Sequence, residues 1–182
     1  MVNNVTSHFF IPSHHLELRA LQEQNNFLTS ELNGLIDFQN NLRIEADYIL
    51  TNSIRSNNGF NNLIINGGNY HIGDEVINSD GLVGMIAKVR GNISEVQLLH
   101  QTNIVVNIND ENGKIVGSDE EGNLIVREIS NYNNINLNDR VYSMMGTYIG
   151  RVIHIRYEII DNFLTVSGPD RNNLHFLGVI KN

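Results

Sequence analysis

The sequence predicts a mainly β protein with one long N-terminal α-helix, a coiled-coil helix followed by two small β-barrels in tandem. Three observations carry that expectation. Apolar residues recur every seven positions at Leu21, Leu28, Leu35, Leu42 and Ile49. Beyond about residue 62 the chain breaks into short apolar runs separated by Asn-Gly, Asp-Gly and Gly-Gly pairs. One β phrase is also written twice: "GDEVINSDGLVGMIAKV" at 73–89 returns as "NDRVYSMMGTYIGRVIHI" at 138–155.

Each element has its own local signal. Residues 1–13 read as an extended lead-in, because Pro12 disfavours helix before it and Ser13 can cap a helix starting at His14. Residues 14–52 read as the helix. Its d positions are the five residues above, and Leu18, Asn25, Leu32, Gln39 and Ala46 take the a positions. The predicted self-association seam is therefore Leu18, Leu21, Leu28, Leu32, Leu35, Leu42 and Ile49. Such a stripe seeks a second helix, and packing on the chain's own domain is the competing reading. Gly34 weakens the helix centre by about 1 kcal/mol relative to alanine.

A polar, glycine-containing break covers 52–62, and strands are expected throughout the rest. The spans are 62–66, 75–78, 82–90, 95–99, 103–108, 114–116, 123–129, 140–143, 148–155, 162–166 and 174–180. Turn signals stand between them at Asn66-Gly67-Gly68, Asp80-Gly81, Asn112-Gly113, Glu121-Gly122 and Gly168-Pro169. Residues 62–122 and 123–182 are assigned to the first and second barrel, with exchange of strands between them allowed. Gly84 and Gly150 interrupt otherwise apolar strands, and Gly81 ends the turn before one of them. They are expected to shape the barrels, since a strand glycine marks a bend or a close backbone approach. Barrels this small fill their interiors with side chains, so function is expected on the outside.

Composition narrows the function. The chain has 182 residues, 12 Lys+Arg against 20 Asp+Glu, and a net charge of −8. That balance opposes binding to nucleic acid or to anionic lipid. With no cysteine there are no disulfides, thiolate nucleophiles or Cys-based metal sites. The abundance of asparagine, interleaved with Ile, Leu and Val, reads as compositional bias rather than a prion-like tract. No run approaches the roughly 20 apolar residues of a spanning helix, and no signal peptide opens the chain.

Catalytic and metal motifs are missing. The sequence holds no Gly-x-Ser-x-Gly, no His-Glu-x-x-His, no P-loop and no Gly-x-Gly-x-x-Gly. His8, His14 and His15 are expected to be solvated. His100, His154 and His175 fall in or beside strands without metal-ligand spacing. The acidic segment "NDENGKIVGSDEEGN" fails the calcium-loop pattern in either phase of its glycines, and two hairpin turns explain it better. Met144-Met145 is expected to fill core, with a partner contact as the alternative. No catalytic, cofactor or metal residue is assigned.

The stretch "NLIINGGNYHIGDEVINSDGLVGMIAKVRGNISEVQLLHQTN" at 62–103 resembles the core of the MreC family of bacterial rod-shape-determining proteins. The resemblance lies in the Ile65–Gly68 turn, the Gly73–Val76 strand, Gly81-Leu82-Val83-Gly84 and Val96-Gln97-Leu98-Leu99. It extends from the helix at residue 14 to about 180 and is weaker after Asn103. There Val141–Gly146 leads almost directly into Tyr148-Ile149-Gly150, where the family carries a longer loop. The resemblance implies a non-enzymatic scaffold of the cell-elongation and peptidoglycan-synthesis machinery. It implies a homodimer or higher assembly, and MreD, MreB, RodA and a class B penicillin-binding protein as partners. It also implies a single-pass membrane protein whose N-terminal helix is not in this chain and whose remaining part lies on the extracytoplasmic side. No cofactor is implied. The alternatives are an OB-like small-barrel binding protein and a cell-wall enzyme with an unfamiliar site. The first wants exposed aromatics on a basic groove, which this composition does not offer.

Overall fold

The computed structural model describes residues 11–42, 47–56, 63–157, 162–170 and 173–181. Helix α1 runs Ile11–Asn41. It therefore begins before the expected residue 14. Pro12 is tolerated because a first-turn N–H has no intrahelical acceptor anyway. The helix also ends well short of residue 52, at a pair of asparagines, poor helix formers that suit a helix terminus. The expected lead-in from 1 to 10 lies outside the described residues.

The strands among the described residues are β1 Ile49–Ser56, β2 Leu63–Asn66, β3 Glu75–Ile77, β4 Leu82–Arg90, β5 Ile93–Leu98 and β6 Val105–Ile108. They continue with β7 Glu111–Ser118, β8 Leu124–Arg127, β9 Arg140–Ser143, β10 Tyr148–Arg156, β11 Phe163–Val166 and β12 Phe176–Ile180. They close into two six-stranded antiparallel barrels. One ring is β1-β12-β3-β4-β5-β2 and the other β10-β11-β8-β7-β6-β9.

This membership differs from the division at 122/123. Strands β6 and β7, placed by sequence in the first barrel, belong to the second. Strand β12, placed in the second, closes the first. β1 occupies the stretch that the heptad rule gives to the end of the helix. Its Ile49, Thr51 and Ile54 instead suit a pleated strand, and Ile49–Asn52 pair with Val179–Phe176. The physical reason is that closure needs every inner strand paired on both sides. Without β1 and β12, β2 and β3 would be open edges.

The two rings share one plan. Read around each ring, β3-β4-β5-β2-β1-β12 matches β9-β10-β11-β8-β7-β6. The second barrel takes its strands in unbroken chain order. The first is the same barrel circularly permuted, with its opening strand supplied by the C-terminal β12. The whole second barrel is thus inserted between β5 and β12.

The repeated phrase occupies equivalent places. Val76 pairs with Gly84 as Val141 pairs with Gly150. Ile86 N donates to Asp74 O, and Val152 N to Asp139 O, each at 2.9 Å. Asp74 Oδ2 accepts from His71 N at 2.8 Å, and Asp139 Oδ2 from Asn136 N at 2.6 Å.

Each interior is aliphatic, as the alternation of the strands requires. Leu63, Ile65, Val76, Ile86, Val96 and Val179 fill the first barrel. Val106, Ile115, Val126, Val141, Val152 and Leu164 fill the second. Ile77, Leu82 and Leu99 come from the first barrel's strands and end, yet pack in the second barrel's core.

One expected turn moves. The β6–β7 hairpin turns at Asn109-Asp110, not at Asn112-Gly113. Both of its central residues have positive φ (50° and 65°), as the favoured two-residue hairpin requires. Gly113 lies inside β7, where an added Cβ would stand 2.7 Å from Val126 Cγ1.

Candidate interaction site

Three places on the molecule can carry contacts. The first is α1. Leu18, Leu21, Leu28 and Leu32 are each more than half exposed, at 56%, 58%, 54% and 57%. Leu35, on the same heptad stripe, is half-buried. An apolar stripe left in water on a helix of about 45 Å is a surface waiting for cover. Leu16 and Phe27 are also exposed but lie off the seam.

Two residues leave the predicted seam. Leu42 falls beyond the helix end and packs against the second barrel's core. Ile49 opens β1 opposite Val179. The heptad count runs on because a strand whose apolar residues fall in phase looks the same to a seven-residue rule. The aromatic pair that marks the turn-off is Phe38, buried at 3% exposure, edge-on to Tyr48 at 5.8 Å.

The second place is the junction of the barrels, built by the turn between β3 and β4. Asn78 is fully buried and every hydrogen-bonding position of its amide is used. Its Nδ2 donates to Asp170 O at 3.1 Å and Asn173 O at 3.2 Å. Its Oδ1 accepts from Asp80 N at 2.9 Å and Gly81 N at 3.0 Å. Asn173 Nδ2 adds a bond to Ser79 Oγ at 2.9 Å. This side chain therefore pins the segment that returns the chain to β12.

Gly81 serves the same junction. A Cβ there would lie 2.7 Å from Tyr148 O in the other barrel, so the glycine permits contact between barrels. Gly84 and Gly150 work within their own barrels, where a Cβ would meet Gln97 O at 2.2 Å and Ser167 O at 1.7 Å. Beside them, Glu75 is completely buried and accepts a hydrogen bond from Thr147 across the junction. Its Oε1 has no partner among the described residues. Neither Asn78 nor Glu75 stands out in the sequence. The polar letters inside the repeated phrase are the available signal.

The third place is the outer surface of the second barrel. Met144 and Met145, at 61% and 52% exposure, sit on the β9–β10 turn and do not fill core. The turn is closed by Ser143 N donating to Thr147 O and by Ser143 Oγ accepting from Met145 N and Thr147 N. It is too tight to fold its tip inward. Tyr142 and Tyr148 pack edge-on at 5.9 Å behind it.

Most of the described histidines stand apart on the surface. His15, His71, His154 and His175 are exposed; His8 lies outside the described residues. His100 and Asp170 line a cavity of about 20 Å³, room for one water rather than a substrate. Among the described residues no three His, Cys, Asp or Glu side chains converge as metal ligands. Glu111 is held below its ordinary range by the Ser130 hydroxyl and then by Asn134, whose Nδ2 donates at 2.6 Å. Burial pushes Asp119 up, but hydrogen bonds from the Asn123 side chain and the backbone of Asn123, Glu121 and Gly122 outweigh it and lower its pKa. Both groups stabilise hairpin ends. Among the described residues no helix is long and apolar enough to cross a membrane.

Comparison with known proteins agrees with this architecture. The chain is similar to MreC from Listeria monocytogenes, at 19% identity and a TM-score of 0.67, over 91% of this chain and 90% of that one. It is similar to the major periplasmic domain of the cell shape-determining filament MreC, at 22% identity and a TM-score of 0.66, over 75% and 98%. It is also similar to a chain of the complex between penicillin-binding protein PBP2 and MreC from Helicobacter pylori, at 19% identity and a TM-score of 0.58, over 75% and 99%. No protein in the curated comparison matches. The sequence profile of the family described as "Rod shape-determining protein MreC, barrel core" matches residues 52–168, more than half of the chain. With the paired barrels and the repeated Asp-x-Val and glycine strands inside that match, the chain belongs to the rod shape-determining protein MreC family.

Proposed function

We propose that this chain is a non-enzymatic scaffold of the cell-elongation and peptidoglycan-synthesis machinery, acting through self-association and partner binding on the extracytoplasmic side of the cell membrane. The observation that carries the reading is the family match over residues 52–168, which takes in the whole second barrel and most of the first. The exposed leucine stripe of α1 supports self-association, and two chains pairing through it is the simplest arrangement. A related MreC has a solved structure in complex with PBP2, which supports a class B penicillin-binding protein as partner here. MreD, MreB, RodA and a membrane anchor belong to the same reading. A related structure described as a periplasmic domain supports the location.

The test is sedimentation of the chain and of Leu28→Asp/Leu35→Asp at high micromolar concentration. A parent dimer that the double variant loses is the expected result. Identical monomers in both would remove α1 as a self-association site. Capture of a class B penicillin-binding protein's extracytoplasmic part on immobilised chain tests the partner half.

A further inference from the structure

The two barrels provide an internal comparison, because the same frame is built twice with different outer residues. Along the second barrel, directly opposed positions on four neighbouring strands form one row. Lys114 on β7 faces Arg127 on β8, and Arg156 on β10 faces Phe163 on β11. The register of β11 with β8, Leu164 to Val126, sets Phe163 beside Arg127. All four lie on the outer face, since their neighbours Ile115, Val126 and Leu164 are buried inside. Arg127 and Arg156 are exposed, and Lys114 and Phe163 are half-buried. The two guanidinium carbons stand 5.8 and 5.5 Å from the Phe163 ring centroid, within cation–π range. Tyr157 comes directly after Arg156 and is 64% exposed, with Tyr132 edge-on to it at 6.2 Å.

The barrel frame does not require this set. By ring order and pairing, Arg156, Phe163 and Arg127 correspond to Arg90, Ile93 and Asn66 in the first barrel. One cation and no aromatic suffice there. In a chain of net charge −8, three of the 12 cations share the second barrel's row. Lys114 and Arg156 have no carboxylate within ion-pair distance among the described residues, whereas Lys88 of the first barrel is tied to Glu95 at 3.6 Å.

We propose that the row Lys114–Arg127–Phe163–Arg156, with Tyr157 at its end, binds an anionic saccharide chain. Guanidinium groups bind carboxylate or phosphate oxygens through paired N–H donors. The half-buried Phe163 ring and the exposed Tyr157 ring offer flat apolar faces to the C–H side of a sugar. Arg127 and Arg156 are two strands apart, roughly 10 Å, which suits charges recurring along a polymer better than one small anion. An acidic peptide is less well served, because a closed barrel has no strand edge for a peptide backbone to pair with. The inference rests on the extracytoplasmic reading, which places this surface where such polymers occur.

The test is calorimetric titration of the full chain with two probes: soluble, peptide-free peptidoglycan glycan strands, anionic through the carboxylate of each muramic acid, and a phosphomannan, a saccharide chain anionic through phosphodiester groups. Binding of either, weakened by about tenfold or more in Arg127→Gln/Arg156→Gln and in Phe163→Leu, is expected. Arg90→Gln in the first barrel should leave it unchanged, and added salt should weaken it. The probe that binds identifies the source of the charge. Thermal melting of each variant verifies the fold. Absence of binding by both probes overturns the proposal. So does affinity unaltered in the variants, and so does equal binding of poly-glutamate, which would make the row a general anion surface. Sedimentation of the same Arg variants separates the outcomes, because failure here leaves self-association through α1 intact.

Discussion

Gly84 and Gly150 hold the same place in the two barrels. Each stands opposite a valine, Val76 or Val141, and each lies against a backbone carbonyl, that of Gln97 in β5 or that of Ser167 just beyond β11. The barrel wall curls there so tightly that no Cβ fits. Gly84→Ala and Gly150→Ala should each cost about 1–3 kcal/mol or more, since the obstacle is backbone rather than a movable side chain. Chemical denaturation measures this. A loss below about 0.5 kcal/mol for both would mean the strands can part without penalty.

Asn78 should matter as a fully satisfied buried amide. Asn78→Ala removes two donated and two accepted hydrogen bonds at once and leaves the carbonyls of Asp170 and Asn173 and the N–H groups of Asp80 and Gly81 without that partner. A loss of about 2–4 kcal/mol is expected, beyond the roughly 1 kcal/mol of one ordinary hydrogen bond. The protection of β12 amides against hydrogen exchange should fall first, because Asn78 holds the segment leading into that strand.

Removing residues 174–182 tests the permuted barrel. Without β12, both β1 and β3 lose a partner strand, while the second barrel keeps all six of its own. The truncated chain should expose the first barrel's core and aggregate through open edges. Amides of β6–β11 should stay protected. Loss of protection in both barrels together would mean that they fold as one cooperative unit.

The Glu75–Thr147 contact joins the barrels through a completely buried carboxylate. Thr147→Val leaves that carboxylate without its hydroxyl partner and should cost about 1–3 kcal/mol. In a Glu75→Met background the same change should cost much less, because the group needing the partner has gone. Additive losses in the double-mutant cycle would show that the hydrogen bond contributes nothing to the junction.

Glu111 supplies a pH test. Its folded pKa lies below the ordinary 4.5, chiefly through Ser130 and then Asn134. A depressed carboxylate stabilises the fold above its unfolded pKa, and that contribution fades as pH falls through the folded value. Ser130→Ala should return the titration of Glu111 toward 4.5, as followed by its carboxyl carbon shift in NMR, and should flatten the acid limb of stability below that pH. An unmoved titration would assign the shift to other groups.

The sequence by itself determined local character. Alternation and turn residues specified most of the strands from Leu63 to Ile180, though not the Asn109-Asp110 turn, and the repeated phrase specified two like units. Those signals are local, since a strand's two faces and a turn's positive φ are written in a few consecutive residues. Tertiary structure decided which strands share a barrel. A strand's sequence shows how much of it is buried but not what it pairs with, so β12 and β6 could not be allotted from their letters. It decided the end of the helix too. Leu42 and Ile49 keep the heptad phase, yet the packing of Leu42 against the barrel core and the ladder of Ile49 with Val179 outweigh further helical turns. Only the fold brought Glu75 to Thr147, 72 residues away, and Arg127 and Arg156 to either side of Phe163. Such contacts depend on register across several strands, and register is fixed when the barrel closes.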